Sequence, residues 1–329
     1  MRRLAALVLA LSVALAATVA GPIALRVTSA QSAPQGQKVR VITGMGIIKD
    51  LAEQVGGDRV EVISVVPAGA DPHTYQPTPR DIQAMQGARL AFWNGLGLDD
   101  TAADLVTEQN LPDLTVVVLS AGVTPLAGGD DHEDEDGHGE AHADGHDDDH
   151  GHADAHAHAE GNPHLWLDPA FAVRYVETIR DSLVEVDPTG GDVYRANAQA
   201  YTGKIAELDA WALAEVASIP AERRKLVTFH DAFPYFAAHY GLELVGVVLK
   251  SPGREPSAQE VAALVTEIKA HNIPVVFAEP QFNARILELA ARDSGVQVKR
   301  LYSDAFDTEV KTYLDLMRFN ITSVVEGLK

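Results

Sequence analysis

The chain has 329 residues, of which 46% are hydrophobic, and this length and composition predict two domains with sizeable cores. Its formal net charge of −21 at pH 7 argues against a basic face, so we expect no nucleic-acid partner. There are no cysteines, which excludes disulfides, thiolate metal sites, cysteine nucleophiles and a lipid-modified N-terminal cysteine. We therefore expect that the protein is not a lipoprotein.

The first 33 residues have the pattern of a secretory signal peptide. Arg2 and Arg3 supply positive charge, Leu4 to Ala20 form an apolar or small run of 17 residues, and small residues follow at 29–33. A permanent membrane anchor is the alternative, but the apolar run is short for a spanning helix. We expect cleavage of this segment, export, and a periplasmic or otherwise extracytoplasmic location.

Short apolar runs after the signal peptide predict β-strands. They cover 39–43, 60–66, 90–93, 115–119, 226–229, 242–249, 274–278 and 296–302. Because the runs are nearly continuous rather than alternating, they predict parallel sheets covered on both faces. Helix signals lie between them: an apolar stripe that stops at Gly56, a cap at Thr78, a capping box formed by Ser257 and Glu260, and a helix start at Asn283. This alternation predicts an α/β fold with two lobes, each a mainly parallel four-stranded sheet with flanking helices.

Two long helical tracts, at about 170–186 and 191–218, lie between the two groups of strands. The second would extend about 40 Å as a continuous helix, long enough to join the lobes as a rigid spacer. The predicted organisation begins with a signal peptide at 1–33. An N-terminal lobe follows at 34–127, is interrupted by the acidic histidine-rich loop at 128–161, and is completed by 162–190. A linking helix at 191–218 then leads to a C-terminal lobe at 219–329.

The segment 128–161 contains 13 acidic residues and 8 histidines, and it lacks lysine, arginine, aromatic and branched aliphatic residues. Such a composition cannot bury enough apolar surface to fold, so we predict a disordered loop. Neutral imidazoles bind borderline metals such as Zn²⁺, and the irregular spacing predicts weak, multivalent binding; a solvated charged loop is the alternative. The predicted weak ligands are His132, His138, His142, His146, His150, His152, His156 and His158.

Three histidines outside this loop occupy positions typical of a ligand site. His73 lies in a proline-rich turn after one predicted strand, His230 follows another strand, and His164 lies directly after the acidic loop. Each alone is better explained as a structural hydrogen-bonding residue. Because ligands of α/β sheets gather beyond the C-terminal ends of strands, the three together predict a metal site between the lobes.

A fourth ligand is expected from the last predicted strand of the C-terminal lobe. Asp304 follows that strand, and Asp307 is a nearby competitor. Three imidazoles and one carboxylate suit tetrahedral Zn²⁺, and closed protein ligation favours carriage of the ion over catalysis. His239 and His271 each precede a helix-ending signal, where a cation is favoured by the helix dipole, so we do not assign them to the site.

Several separate motifs now point to a known family. They are DPHTYQPTPRD at 71–81, NPHLWLDP at 162–169, FHDAF at 229–233, FAEPQF at 277–282, and LYSDAF followed by TYLDLMRFN within 301–320. In these motifs the chain resembles the bacterial zinc/manganese ABC-transporter solute-binding proteins, especially the zinc-uptake type with a histidine-rich loop. The resemblance covers about 38–329 and implies two α/β lobes joined by a rigid helix, with the metal bound between them.

The resemblance places the ligands on His73, His164, His230 and Asp304. Some zinc members carry a glutamate just before the first histidine, and this chain has Pro72 there. Some also carry a disulfide, which this sequence lacks. Glu279 lies in a motif typical of the family, but neither the resemblance nor the spacing assigns it a role.

The leading hypothesis is a binding protein of a high-affinity zinc ABC uptake system, not an enzyme. It would capture Zn²⁺ and deliver it to a membrane permease; because no G-x-x-x-x-G-K-[ST] motif occurs, the ATPase would be a separate chain. We expect a monomer. The alternatives are a manganese-binding transporter subunit, a zinc buffer or adhesin of the same fold, and a Zn-dependent hydrolase. The imidazole of His230, where a carboxylate would favour Mn²⁺, supports Zn²⁺.

Overall fold

The computed structural model of the protein describes residues 38–109, 111, 113–127, 161–249, 252–283 and 285–329. The predicted signal peptide and the eight histidines predicted as weak metal ligands lie outside these ranges. Within them, no helix combines the length and the apolar composition that crossing a membrane requires.

Four parallel strands form the sheet of the N-terminal lobe, in the spatial order β2-β1-β3-β4. They are β1 (Val39–Thr43), β2 (Val60–Ser64), β3 (Leu90–Trp93) and β4 (Thr115–Val118). The inner strands β1 and β3 are almost entirely buried, which is why their sequences are continuously apolar. Because all four strands run in one direction, their C-terminal ends meet at one edge of the sheet.

The C-terminal lobe repeats this arrangement strand for strand, in the order β6-β5-β7-β8. Its strands are β5 (Lys225–His230), β6 (Glu243–Leu249), β7 (Val275–Ala278) and β8 (Gln297–Arg300). The two parallel four-stranded sheets confirm the predicted fold class. β2 and β8 are each shorter than the apolar runs that predicted them.

Helices pack around the two sheets. Those in the described ranges are α1 (Gly46–Gly56), α2 (Pro79–Ala84), α3 (Asp100–Glu108), α4 (Pro169–Val186), α5 (Gly191–Ala217), α6 (Pro234–Tyr240), α7 (Ala258–Ala270), α8 (Arg285–Ser294) and α9 (Tyr313–Leu328). The sequence patterns made no prediction for α3 or α9, although Thr312 caps α9 by accepting a hydrogen bond from the backbone of Asp315.

Local signals in the sequence start and stop several helices as expected. The side chain of Thr78 accepts the backbone N–H of Asp81, whose carboxylate accepts the backbone N–H of Thr78, and Ser257 and Glu260 form the same capping box at α7. Gly241 ends α6 with φ of 66°, a left-handed conformation that glycine adopts without steric cost. These caps satisfy backbone groups that the helix itself leaves unbonded.

The long helix α5 joins the lobes. Its buried residues recur every three or four positions along its whole length: Gly191, Tyr194, Ala198, Tyr201, Ile205, Leu208, Ala212 and Val216. It packs against α1 and α4 of the N-terminal lobe and against α9 of the C-terminal lobe. The Asp50 carboxylate on α1 accepts hydrogen bonds from Tyr201 on α5 and from the backbone N–H of Tyr313 on α9. One continuous hydrophobic core therefore runs through both lobes, and α5 is a packed spacer rather than a free connection.

Candidate metal centre

Four metal-type side chains meet between the two lobes. His73 lies in the loop after β2, His164 precedes a short 3-10 turn at Leu165–Leu167, His230 is the last residue of β5, and Asp304 follows β8. One potential ligand atom from each lies within 4.8 Å of those of the others. The chain thus brings together the three histidines and the aspartate that the sequence predicted, although their role as ligands stays a prediction.

Most of the distances between these atoms are those expected around a tetrahedral ion. His164 Nε2 lies 3.2 Å from His73 Nε2, 3.1 Å from His230 Nε2 and 3.3 Å from Asp304 Oδ1. Asp304 Oδ2 lies 3.2 Å from His230 Nε2 and 3.9 Å from His73 Nε2. Ligands held about 2.0–2.1 Å from a tetrahedral Zn²⁺ are about 3.3 Å apart. Four of the five distances are close to that value, whereas the distance from His73 to Asp304 is longer.

Hydrogen bonds at the far side of two imidazoles aim their Nε2 atoms at the centre. The Asn162 side-chain oxygen accepts both the backbone N–H of His164, at 3.1 Å, and its Nδ1–H, at 3.0 Å. Glu279 Oε1 does the same for His230, at 3.1 Å to the backbone nitrogen and 2.9 Å to Nδ1. Because each acceptor engages Nδ1, Nε2 is the ring nitrogen that is left to face the cluster and bind an ion.

Asp304 is held from its own lobe. Its Oδ2 accepts a hydrogen bond from the side-chain amide of Gln281, at 3.2 Å, and lies 3.1 Å from the hydroxyl oxygen of Ser303. The backbone carbonyl of Ser303 accepts the indole N–H of Trp166 at 2.9 Å. Because Trp166 follows His164 by two residues, this bond ties the Asp304 loop to the His164 segment.

The centre is shielded from solvent and electrostatically coupled. The side chains of His73, His164, His230 and Asp304 are only 6%, 3%, 1% and 0% exposed. Burial alone would lower the pKa of His230, but the carboxylates of Glu279 and Asp304 outweigh it and raise that pKa well above its ordinary value. Burial would raise the pKa of Asp304, but His164 and His230 outweigh it and lower that pKa well below its usual range. The pocket therefore favours cations beside its carboxylates.

The His73 loop is the part of the centre nearest to solvent. The Asp71 carboxylate accepts the backbone N–H of His73 at 3.0 Å and the hydroxyl of Thr74 at 2.9 Å. Gly253 of the other lobe lies close to Thr74. A Cβ atom added at Gly253 would lie 3.3 Å from the Thr74 methyl group. His73 is thus positioned by its own turn, which the opposite lobe contacts at Thr74.

The remaining candidates lie elsewhere. His239 lies between two carboxylates, with Nε2 2.8 Å from Asp209 and Nδ1 3.1 Å from Asp168. His271 caps the end of α7 and lies 3.2 Å from Glu267. Neither belongs to the cluster, as the sequence analysis expected.

Asp307 is occupied by other contacts. It accepts a hydrogen bond from the hydroxyl of Tyr302 at 2.7 Å and others from the backbone N–H groups of Glu309 and Val310. Asp304, rather than Asp307, therefore faces the histidines.

The side chains that orient the ligand candidates escaped the sequence analysis. Glu279 follows the buried strand β7 directly, a position that marks the functional edge of a parallel sheet, but nothing in its sequence context identifies His230 as its partner. Asn162 lies in the same motif as His164 and could have been proposed from its spacing of two residues.

The fold and the cluster define a class: substrate-binding proteins of metal ABC transporters, with two parallel α/β lobes joined by a long helix and a metal-type centre between them. The chain belongs to the ZnuA family, described as the periplasmic component A of a zinc-uptake complex, whose family model matches residues 41–327. This confirms the family resemblance seen in the motifs.

Individual relatives differ in the metal that they are named for. The chain is 33% identical over 297 residues to the manganese-binding lipoprotein MntA of Halalkalibacterium halodurans, covering 89% of each protein. It is 34% identical over 295 residues to the iron-binding protein YfeA of Yersinia pestis, covering 88% of this chain and 86% of YfeA. Among solved structures, it resembles the periplasmic zinc-binding protein TroA of Treponema pallidum with a TM-score of 0.73 and 27% identity, covering 88% of this chain and 99% of TroA.

These names correct one expectation about localisation. MntA is named a lipoprotein, and so are relatives from several streptococci. The expectation that this protein is not a lipoprotein is therefore contradicted by the names of its relatives. It rested only on the absence of cysteine from the 329 residues, whereas these relatives align over nearly the whole chain.

Proposed function

We propose that the chain binds one Zn²⁺ through His73, His164, His230 and Asp304 and delivers it to the permease of an ABC transporter. The observation that carries this proposal is the convergence of four candidate ligand atoms, all within 4.8 Å of one another, from both lobes. Three imidazoles and one carboxylate at tetrahedral spacing suit Zn²⁺, and a closed four-ligand shell suits transport better than catalysis.

The choice of Zn²⁺ over Mn²⁺ rests on the donor set. His230 contributes an imidazole where a carboxylate would favour a harder cation, and three nitrogens with one oxygen favour Zn²⁺ in affinity and geometry. Manganese is the second candidate, because MntA, the relative at 33% identity, is named for that metal. The resident ion is therefore the first quantity to measure.

The ion can be identified from the protein as its host makes it. Native mass spectrometry and elemental analysis of protein purified from its own host should show one Zn²⁺ per chain. Competition with chromogenic chelators should then give a tighter dissociation constant for Zn²⁺ than for Mn²⁺. If Mn²⁺ is recovered and binds more tightly, the zinc proposal is wrong.

Delivery to a transporter follows from the family. We propose a monomer that serves a permease and a separate ATPase chain, with no nucleic-acid partner and no enzymatic activity of its own. In host cells from which the gene is deleted, Zn²⁺-limited growth and ⁶⁵Zn uptake should be restored by the wild-type gene and not by His230→Ala. A zinc buffer or adhesin would restore storage or adhesion without uptake, and a hydrolase would restore neither.

The histidine-rich segment is proposed to supply separate, weaker metal sites. The proposal is supported by composition alone: the eight histidines between His132 and His158 lie among 13 acidic residues. Imidazoles in such a segment bind Zn²⁺ individually weakly and gain from number rather than geometry. Calorimetry can count these sites beside the tight one.

A further inference from the structure

The strongest unexplained feature of the centre is Glu279. Its side chain is 0% exposed, and its two oxygens face the Nδ1 atom of His230 at 2.9 and 2.8 Å. It also accepts a hydrogen bond from the hydroxyl of Ser303, the residue before Asp304. A fully buried carboxylate is costly unless its charge is compensated, so its location beside a ligand candidate needs a physical reason.

The need to orient the His230 imidazole does not by itself explain why the residue at position 279 is charged. The His164 imidazole is oriented by an arrangement of the same geometry, in which the neutral side-chain oxygen of Asn162 accepts both the backbone N–H and the Nδ1–H. The corresponding distances at His230 and Glu279 differ from these by at most 0.1 Å. A neutral amide can therefore hold a ligand imidazole in this fold, and the carboxylate at Glu279 supplies something that an amide does not.

That additional contribution is negative charge. Three imidazoles and the Asp304 carboxylate would leave a bound dication with one positive charge that the four ligand side chains do not themselves compensate. A second carboxylate, hydrogen-bonded to a ligand imidazole, compensates that charge and makes the imidazole a stronger donor. Low exposure strengthens the effect because the surroundings screen charges weakly.

Resting on the proposed function, we infer that Glu279 is a positioning residue for His230 whose carboxylate charge raises the affinity of the centre for divalent cations. Its hydrogen bond to Ser303 also connects the His230 side of the C-terminal lobe to the Asp304 side. The C-terminal half of the centre is thus one hydrogen-bonded unit, in which geometry and charge are set together.

The test is Glu279→Gln, which makes the His230 arm resemble the His164 arm. Gln keeps an acceptor for the His230 N–H groups, and its amide can donate to the Ser303 oxygen, which reverses the direction of that one bond. The contacts are therefore kept while the charge is lost. Zn²⁺ affinity of the full-length protein, measured by chelator competition, should fall by about 10- to 100-fold. The absorption spectrum of bound Co²⁺, which reports coordination geometry, should stay tetrahedral.

The matched control is Asp209→Asn, which removes one carboxylate from a histidine, His239, that lies outside the centre. It should leave Zn²⁺ affinity at the wild-type value. The inference is wrong if the Zn²⁺ affinity of Glu279→Gln stays within twofold of wild type. It is also wrong if Asp209→Asn loses as much Zn²⁺ affinity as Glu279→Gln. His230→Ala separates the two hypotheses: if wild type and His230→Ala bind Zn²⁺ alike, the proposed function itself fails, whereas loss in His230→Ala alone leaves it standing.

Discussion

The N-terminal and C-terminal lobes share one strand order, in which β3 and β7 occupy equivalent positions. The first residue after each of these two strands differs between the lobes, and so do its contacts with the centre. In the N-terminal lobe this residue is Asn94, whose amide donates to the carbonyl of Pro163, next to His164. In the C-terminal lobe it is Glu279, whose carboxylate contacts the ring of His230 directly. Equivalent positions thus support a ligand candidate in both lobes, once through the neighbouring backbone and once through the imidazole itself.

The consequence is an unequal division of charge. The N-terminal half of the centre offers the imidazoles of His73 and His164, with the Asp71 carboxylate bonded to the turn of His73, whereas the C-terminal half places the carboxylates of Asp304 and Glu279 directly beside the ring of His230. A repeated topology places side chains at the same edge of each sheet, but the residue types at that edge decide the chemistry. Changes in the C-terminal half should therefore have the larger effect on metal affinity.

The largest effect is expected at Asp304. Asp304→Ala removes the carboxylate that lies 3.2 to 3.9 Å from all three histidine Nε2 atoms, and we expect Zn²⁺ affinity to fall by about 100-fold or more. Chelator competition measures the change. Asp307→Ala is the control, because that carboxylate is engaged by Tyr302 and backbone N–H groups. A crystal structure with Asp307 in the coordination shell would contradict the assignment.

Asn94→Ala tests the equivalent position in the other lobe. Asn94 is fully buried, donates to Pro163 and accepts the hydroxyl of Tyr175 at 2.7 Å. Its loss leaves buried polar groups unpaired, so the free energy of unfolding of the metal-free protein should fall by about 2 kcal/mol, measured in urea. Zn²⁺ affinity should change less than in Glu279→Gln. Equal losses of affinity in the two variants would remove the contrast between the lobes.

His239 gives a pH-dependent test outside the centre. Hydrogen bonding to Asp168, with a further bond to Asp209, outweighs burial and raises the pKa of His239 from 6.5 to about 9. Because the folded-state pKa is raised, the stabilisation is fully present below pH 6.5 and is lost as pH rises through about 9. His239→Gln should cost about 2 kcal/mol of unfolding free energy at pH 6.

The difference between His239→Gln and wild type should shrink by about pH 10, in metal-free protein with chelator present. His271→Gln is the matched variant, because that histidine also lies at a helix end but is 35% exposed. Neither substitution should change Zn²⁺ affinity. A pH-independent cost at His239 would mean that packing, not the ion pairs, stabilises this contact.

Substitution of His73 should reduce Zn²⁺ affinity less than substitution of Asp304. His73 is the most exposed of the four candidates and lies farthest from Asp304, so a water molecule can replace its imidazole. His73→Ala should weaken Zn²⁺ binding by about tenfold, less than His230→Ala, in the same competition assay. If His73→Ala is the more damaging of the two, the C-terminal half does not dominate binding.

Deleting 128–161 should have the smallest effect on the tight site. The four candidate ligands and both sheets lie outside that segment, so affinity for the first Zn²⁺ should stay unchanged. Weaker additional binding should disappear, and in the full chain it should fade as pH falls through about 6.5, where free imidazoles protonate. Calorimetry at two pH values measures both. Loss of tight binding on deletion would mean that the segment supplies essential ligands.

Much of the fold could be predicted because its signals are local. Continuous apolar runs identified the buried parallel strands, and the capping boxes at Thr78 and Ser257 identified helix starts, since each depends on residues only a few positions apart. His73 and His230 could also be proposed, because residues at the ends of parallel strands gather at one edge, whereas His164 was proposed from its position directly after the acidic loop. The sequence patterns made no prediction for α9, although its cap at Thr312 is present.

The amino-acid sequence by itself determined which side chains were available and at which end of each strand they lie. Only the tertiary structure decided which of them meet: Asp304 rather than Asp307 faces the histidines, Glu279 supports His230, and His239 lies between Asp168 and Asp209. These pairings join residues 30 to 231 positions apart and depend on how strand ends and helices pack across the two lobes. Local patterns carry no information about such distances, because only the packed core that α5 shares with both lobes brings them together.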